Sequence, residues 1–201
     1  MIAKTMTPQE ALQRLLEGNC RYVEHHASHP DESLTRRRAL VPGQHPFAAI
    51  VGCADSRVPP EIVFDEGLGD LFTVRIAGNI LDTAVLASVE YAVAELHVPL
   101  VLVLGHEGCG AVKAALEVKT RGVTVPGHIA TLLRALTPAI SHIRELSDAA
   151  LSQAVRTNIA LVTSKLKTAQ PVVAPLVDNG QLAVVGAHYS LLDGLVSMIS
   201  T

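Results

Sequence analysis

The sequence predicts an α/β fold, a mostly parallel central β-sheet flanked by α-helices, in a single domain over 1–201 with an N-terminal helical arm over about 1–45. Three observations carry that expectation. Short apolar runs, Phe47 to Val51 and Leu100 to Leu104, each end at a glycine, Gly52 and Gly105, as buried strands do. Between and after them lie longer segments with apolar residues at helical spacing, and strand alternating with helix implies parallel strands covered on both faces. No internal repeat, low-complexity tract or linker divides the chain.

Taken in order, Thr7 reads as an N-cap, with Pro8 at the first helical position and Glu10 completing a capping box. The helix PQEALQRLLEGN sets Leu12, Leu15 and Leu16 on one face and is expected to stop at Gly18-Asn19. That stripe needs a partner surface, in its own domain or in another copy. From His25 to Pro46 the chain is polar; His25, His26 and His29 lack neighbours that would complete a ligand set, so a solvated loop and helix surface is expected. Pro59 and Pro60 forbid a central strand and start a short helix ending near Gly67. Residues 71–76, LFTVRI, form a strand, and LDTAVLASVEYAVAEL a helix capped by Asp82 and stopped by Pro99. The chain after Cys109 continues as helix through about Val118. Helical hairpin material follows from His128, with a kink or boundary near Pro138. The Asp178-Asn179-Gly180 turn leads into a last strand at 181–189.

Bulk properties narrow the function. With 49% hydrophobic and 17% charged residues over 201 positions, the chain can bury a substantial core. A formal charge of −3, aromatic content of 3% and no tryptophan argue against a nucleic-acid partner. The start carries Glu10 and Glu17 and no apolar core segment, and the most apolar stretch, Val93 to Leu104, is broken by Glu95, His97 and Pro99. No membrane role and a cytoplasmic location are therefore expected. Three cysteines is an odd number, which fits a reducing compartment better than a disulfide framework. Cys20 is expected to be a packing residue.

Two half-sites carry the chemistry. VLVLGHEGCGAV places His106 and Cys109 three positions apart where a strand gives way to a helix, and FAAIVGCADSRVPPE places Cys53, Asp55 and Arg57 just after another strand. In an open parallel sheet, ligands bind beyond the carboxyl ends of the strands, so neighbouring strands would bring the halves together. Cys53, His106 and Cys109 then form a Cys₂His set, which suits Zn²⁺ and leaves a fourth position for water or substrate. Two thiolates cancel the formal charge of Zn²⁺, so the ion needs help in activating water, and Asp55 is placed to give it. Its carboxylate can accept a hydrogen bond from that water or take the fourth metal position itself, while Arg57 can hold it away from the metal in a bidentate pair.

CADSR followed by GHEGCG resembles the β-class carbonic anhydrases, and the likeness extends from EGNCRY through GQHPFAAIVGCADSRVPPEIVFDEGLGDLFTVRIAGN to VVGAHYSLLDG. The resemblance implies the β-carbonic anhydrase fold, a Zn²⁺ cofactor on Cys53, His106 and Cys109, and an Asp55–Arg57 catalytic dyad with open and closed forms. It also implies substrate contacts at Gln44, Phe72 and Tyr91, N-terminal helices packed across a homodimer or higher even homo-oligomer, and reversible hydration of carbon dioxide to bicarbonate and a proton. Arg75 and Tyr189 match two positions of an inhibitory bicarbonate site known in one subgroup. The tryptophan of that site is replaced by Ile50, so a structural role is expected for both. Two rivals share the fold: a noncatalytic zinc-binding sensor, and a hydrolase of carbonyl sulfide or carbon disulfide. A nucleotide loop fits less well, because the glycines of GHEGCG lack the dinucleotide order.

Overall fold

Residues 6–200 are described by the computed structural model. The first five positions of the expected N-terminal arm, and residue 201, lie outside them. Five strands form one sheet in the order β2-β1-β3-β4-β5: β1 is Ala48–Gly52, β2 Leu71–Arg75, β3 Leu100–His106, β4 Ala183–Tyr189 and β5 Val196–Ile199. The first four are mutually parallel and β5 runs antiparallel to β4. The sequence reading ends its strands at Tyr189. It misses β5, four residues whose pairing comes entirely from β4.

All residues of β1 and β3 are buried. Alternate side chains feed two cores: Ala49, Val51, Val101 and Val103 face one side, and Ala48, Ile50, Leu100, Leu102 and Leu104 the other. The longest helix, α8 (Asp148–Lys167), follows α1 (Pro8–Val23), α2 (Leu34–Ala39), α3 (Pro60–Val63), α4 (Thr83–Ala94), α5 (Gly110–Arg121), α6 (Ile129–Ala135) and α7 (Thr137–Ile140); α9 spans Val173–Asp178. Ile159 of α8 lies over Gly105 and Gly186, where an added Cβ would come within 2.5 Å and 2.7 Å of its side chain. The glycines thus let α8 approach β3 and β4 closely. Among the described residues no helix is long and apolar enough to cross a membrane.

The capping box of α1 is formed: Glu10 N–H donates to Thr7 Oγ1 (3.2 Å) and Thr7 N–H to Glu10 Oε2 (2.8 Å). Its end differs from expectation. The helix runs through Gly18 and Asn19 to Val23, because both residues are tertiary contacts rather than stop signals. Gly18 passes against the Phe64 carbonyl, where a Cβ would sit 1.8 Å from the oxygen. Asn19 is buried; its Nδ2 donates to the carbonyls of Val63 (3.1 Å) and Gly194 (2.9 Å), and its Oδ1 accepts from Val196 N–H (2.8 Å). One amide therefore ties α1 to the end of α3 and the start of β5. Leu15 is fully buried in the chain's own core, whereas Leu12 and Leu16 are half-buried. The short helix predicted to reach Gly67 ends at Val63.

Asp65, just beyond α3, organises the polar loop after α1. It accepts from Ser28 N–H (3.0 Å), Ser28 Oγ (2.9 Å), His29 N–H (2.9 Å) and Arg21 Nε (2.6 Å). Burial alone would push its pKa up, but those donors outweigh it and hold the carboxyl at about 2 against an ordinary 3.8. A depressed folded pKa gives stability that is complete above the unfolded value and is lost on acidification. The expected loss is ~2 kcal/mol between about pH 5 and pH 2. Urea unfolding across that range should show Asp65→Asn lacking this part of the slope; an unchanged slope would refute the assignment.

Candidate metal centre

The register explains why the half-sites meet. Gly52 of β1 pairs with Leu104 of β3, so Cys53, one step past β1, stands beside the end of β3 where His106 lies. The chain then turns through Gly108, whose φ of 62° is left-handed, and brings Cys109 back as the N-cap of α5. All three side chains are buried, and their ligand atoms lie within 4.8 Å of one another.

The cluster's shape fits a metal. Cys53 Sγ and Cys109 Sγ are 4.0 Å apart, close to the ~3.8 Å expected for two sulfurs on one tetrahedral zinc. His106 Nδ1 is 2.8 Å from the Glu107 carbonyl and donates to it, which leaves Nε2 as the lone-pair nitrogen. That Nε2 is buried with no hydrogen-bond partner among the described residues. An orphaned imidazole nitrogen beside two buried sulfurs costs free energy unless a cation takes the lone pairs. The two sulfurs share one hydrogen bond, so the first thiolate of the pair forms below the ordinary thiol range while that bond and burial hold the second proton above it. A divalent cation would displace the remaining proton.

Asp55 and Arg57 stand at the rim. Arg57 Nε donates to Asp55 Oδ1 (2.9 Å) and Nη2 to Oδ2 (2.8 Å), and the Arg57 N–H also reaches Oδ1 (3.0 Å). These bonds, chiefly those of the Arg57 side chain, hold the carboxyl well below the usual carboxylate range, so it is an acceptor at neutral pH. Its Oδ2 is 3.8 Å from His106 Nε2. Phe72 on β2 and Tyr91 on α4 lie with ring centroids 6.2 Å apart and ring planes tilted by 36°, and Tyr91 is 49% exposed. Gln44 is exposed in the segment before β1. Among the described residues no hydrogen bond or ion pair joins Gln44 or Tyr91 to the Cys-His-Cys group.

Two contributors were absent from the sequence-based site. Arg75, at the end of β2, donates from Nε to the Cys53 carbonyl (3.0 Å) and from Nη2 to the Asp55 carbonyl (2.5 Å), clasping the loop that carries both. Gly78 N–H donates to Cys53 Sγ at 3.3 Å. The first was singled out only through its match to the family's inhibitory position and given a structural role, and the second left no signal beyond a glycine. Tyr189 meets Tyr22 hydroxyl to hydroxyl at 3.3 Å, which ties β4 to α1. Cys20 is exposed, with its Sγ 3.4 Å from Glu24 Oε1, so the expected packing role is corrected: it lies on the outward face of α1.

Comparison with known proteins agrees with the geometry. Residues 48–196 match the family described as carbonic anhydrase. The chain is 41% identical over 187 residues to carbonic anhydrase 2 of Mycobacterium tuberculosis, covering 93% of this chain and 90% of that one. It is 39% identical over 193 residues to a carbonic anhydrase of Mycolicibacterium smegmatis, covering 96% and 94%. A solved Coccomyxa β-carbonic anhydrase in complex with acetazolamide superposes with a TM-score of 0.72 at 28% identity, over 94% of this chain and 86% of that one. With the paired strand ends, the donor cluster and these likenesses in hand, the chain belongs to the β-class carbonic anhydrases, zinc lyases whose general reaction is the reversible hydration of carbon dioxide.

Proposed function

We propose that this chain hydrates carbon dioxide to bicarbonate and a proton with Zn²⁺ held by Cys53, His106 and Cys109, and with Asp55 and Arg57 as its catalytic dyad. The observation that carries the reading is the orphaned, buried Nε2 of His106, set between two cysteines and 3.8 Å from an arginine-clasped carboxylate. When bound, Zn²⁺ supplies a Lewis acid that makes water nucleophilic near neutral pH. Arg57 keeps both Asp55 oxygens turned toward itself, which favours an arrangement in which Asp55 is no ligand and the fourth position stays open. The ionised carboxylate accepts a hydrogen bond from the attacking water and so aims a lone pair at the substrate carbon. A second form, less active, would have Asp55 leave Arg57 and coordinate.

Carbon dioxide is small and apolar and suits a pocket with few polar groups. Phe72 and Tyr91 supply an aromatic wall, and Gln44 a polar contact. Both Gln44 and Tyr91 are exposed here, consistent with a pocket completed by a second copy of the chain in a homodimer or higher even oligomer.

The test is stopped-flow carbon dioxide hydration at mildly alkaline pH on protein of known zinc content, before and after removal of the metal by a chelator. Fast hydration that disappears with the metal and returns with added zinc is the expected result. A fully zinc-loaded protein without hydration would favour the sensor reading, and turnover of carbonyl sulfide alone would favour the hydrolase.

A further inference from the structure

The metal ligand Cys53 is steadied by a loop that no strand or helix of its own half-site supplies. Residues Ala77–Asn79 form a single 3₁₀ turn in which Gly78 has φ 73°. Its N–H points at Cys53 Sγ (3.3 Å). A Cβ on Gly78 would stand 3.2 Å from both Ala111 Cβ and Leu136 Cδ1, so neither the backbone nor the space suits another residue. The other side of the same residue is held from far along the chain: Asn158 Nδ2 donates to the Gly78 carbonyl, in the next peptide unit, at 2.9 Å. Asn158 lies mid-way along α8, is 4% exposed, and sits beside the Ile159 that seats α8 on Gly105 and Gly186.

We infer that Asn158 is a positioning residue of the metal centre, holding Gly78 so that its N–H stays on the Cys53 sulfur. The inference rests on the metal site proposed above. A buried amide in a helix interior costs free energy unless its donors are used, and the Gly78 carbonyl gives this one its partner. Asn158 anchors the 78–79 peptide, and the left-handed turn at Gly78 (φ 73°) relates that plane to the preceding one, whose N–H meets the sulfur. A hydrogen bond to a thiolate draws off part of the charge the sulfur would otherwise give to the metal, and such outer contacts both orient and tune a ligand. Asn158→Ala removes the donor; Asn158→Asp keeps the shape but sets a carboxylate against the Gly78 carbonyl.

Both variants should bind zinc about 10- to 100-fold more weakly than wild type in competition with a chromophoric chelator. With Co²⁺ in place of zinc, both should also shift the thiolate-to-metal charge-transfer band. Val162→Ala, a cavity one turn further along the same helix, serves as the purely structural control and should lower the melting temperature while leaving the band and the affinity unchanged. An Asn158→Ala protein that behaves like this control overturns the inference. If neither Asn158 variant folds, wild-type protein loaded with ¹¹³Cd decides: the Gly78 amide proton should show scalar coupling to the metal through Cys53 Sγ, and its absence overturns the proposal. Wild-type protein that takes up neither Co²⁺ nor Cd²⁺ would overturn the metal site itself, a separate failure.

Discussion

Cys109→Ala is expected to leave the chain folded but to lower carbon dioxide hydration by more than about 100-fold, beyond what losing an outer-shell contact costs. Cys109 is 1% exposed at the N-terminus of α5, and its sulfur is one of three converging donors. Without it, Cys53 and His106 remain as two protein ligands, too few for the closed tetrahedral or three-plus-one sites that zinc occupies. The zinc content should fall well below one per chain under dialysis. Elemental analysis and stopped-flow rates measured together check this, with Cys20→Ala as the comparison, since that exposed thiol lies on α1 and its hydrogen bond is to Glu24. A Cys109→Ala enzyme with full metal and full rate would remove Cys109 from the site.

Gly18→Ala should lower stability by ~2 kcal/mol or more, although the substitution lies inside a helix. In an exposed helix, alanine gains up to about 1 kcal/mol over glycine. Here its Cβ would stand 1.8 Å from the Phe64 carbonyl oxygen and 2.8 Å from its carbon, both backbone atoms that cannot swing away. Overpacking of that kind costs about 1–3 kcal/mol and sometimes more, and relief requires α1 to lift from α3 and strain the three hydrogen bonds of Asn19. The clash wins. For a chain of this length the melting temperature should fall by roughly 4–8 °C. Gly43→Ala, with nothing within 4 Å of the added carbon, should change it little. Equal melting temperatures for the two variants would mean that α1 does not dock as described.

What could be read from the chain was whatever depended on neighbours in sequence. The Thr7 and Asp82 caps, the apolar runs of β1 and β3 and the glycine that ends β1 are local signals, and each appears where expected; β3 instead runs past Gly105 to His106, because pairing with β4 continues to Tyr189. Cys53, His106 and Cys109 were legible as a group because parallel topology makes adjacent strand ends converge. Gly18 and Asn19 misled because a glycine-asparagine pair signals a helix end locally, whereas here it serves contacts with residues 64 and 194. The Asn158–Gly78 bond spans eighty positions and joins two residue types with no motif. The Arg75 clasp depends on where β2 ends relative to β1, a register set by pairing and not by composition.

The burial of β3 has a kinetic consequence for the metal. All seven of its residues are buried, Val101–Leu104 are paired on both sides and the rest with β4, so its amides should exchange with solvent in the slowest class in the molecule. His106 is the last of those seven. The Cys53 side is different: it hangs on a loop held by Arg75, Gly78 and Arg57-bound Asp55, contacts that break without unzipping the sheet. At the proposed metal site, exchange is therefore expected to follow excursions of the 53–57 loop while His106 stays in place, so a metal-exchange rate faster than β3 amide exchange is the expected result.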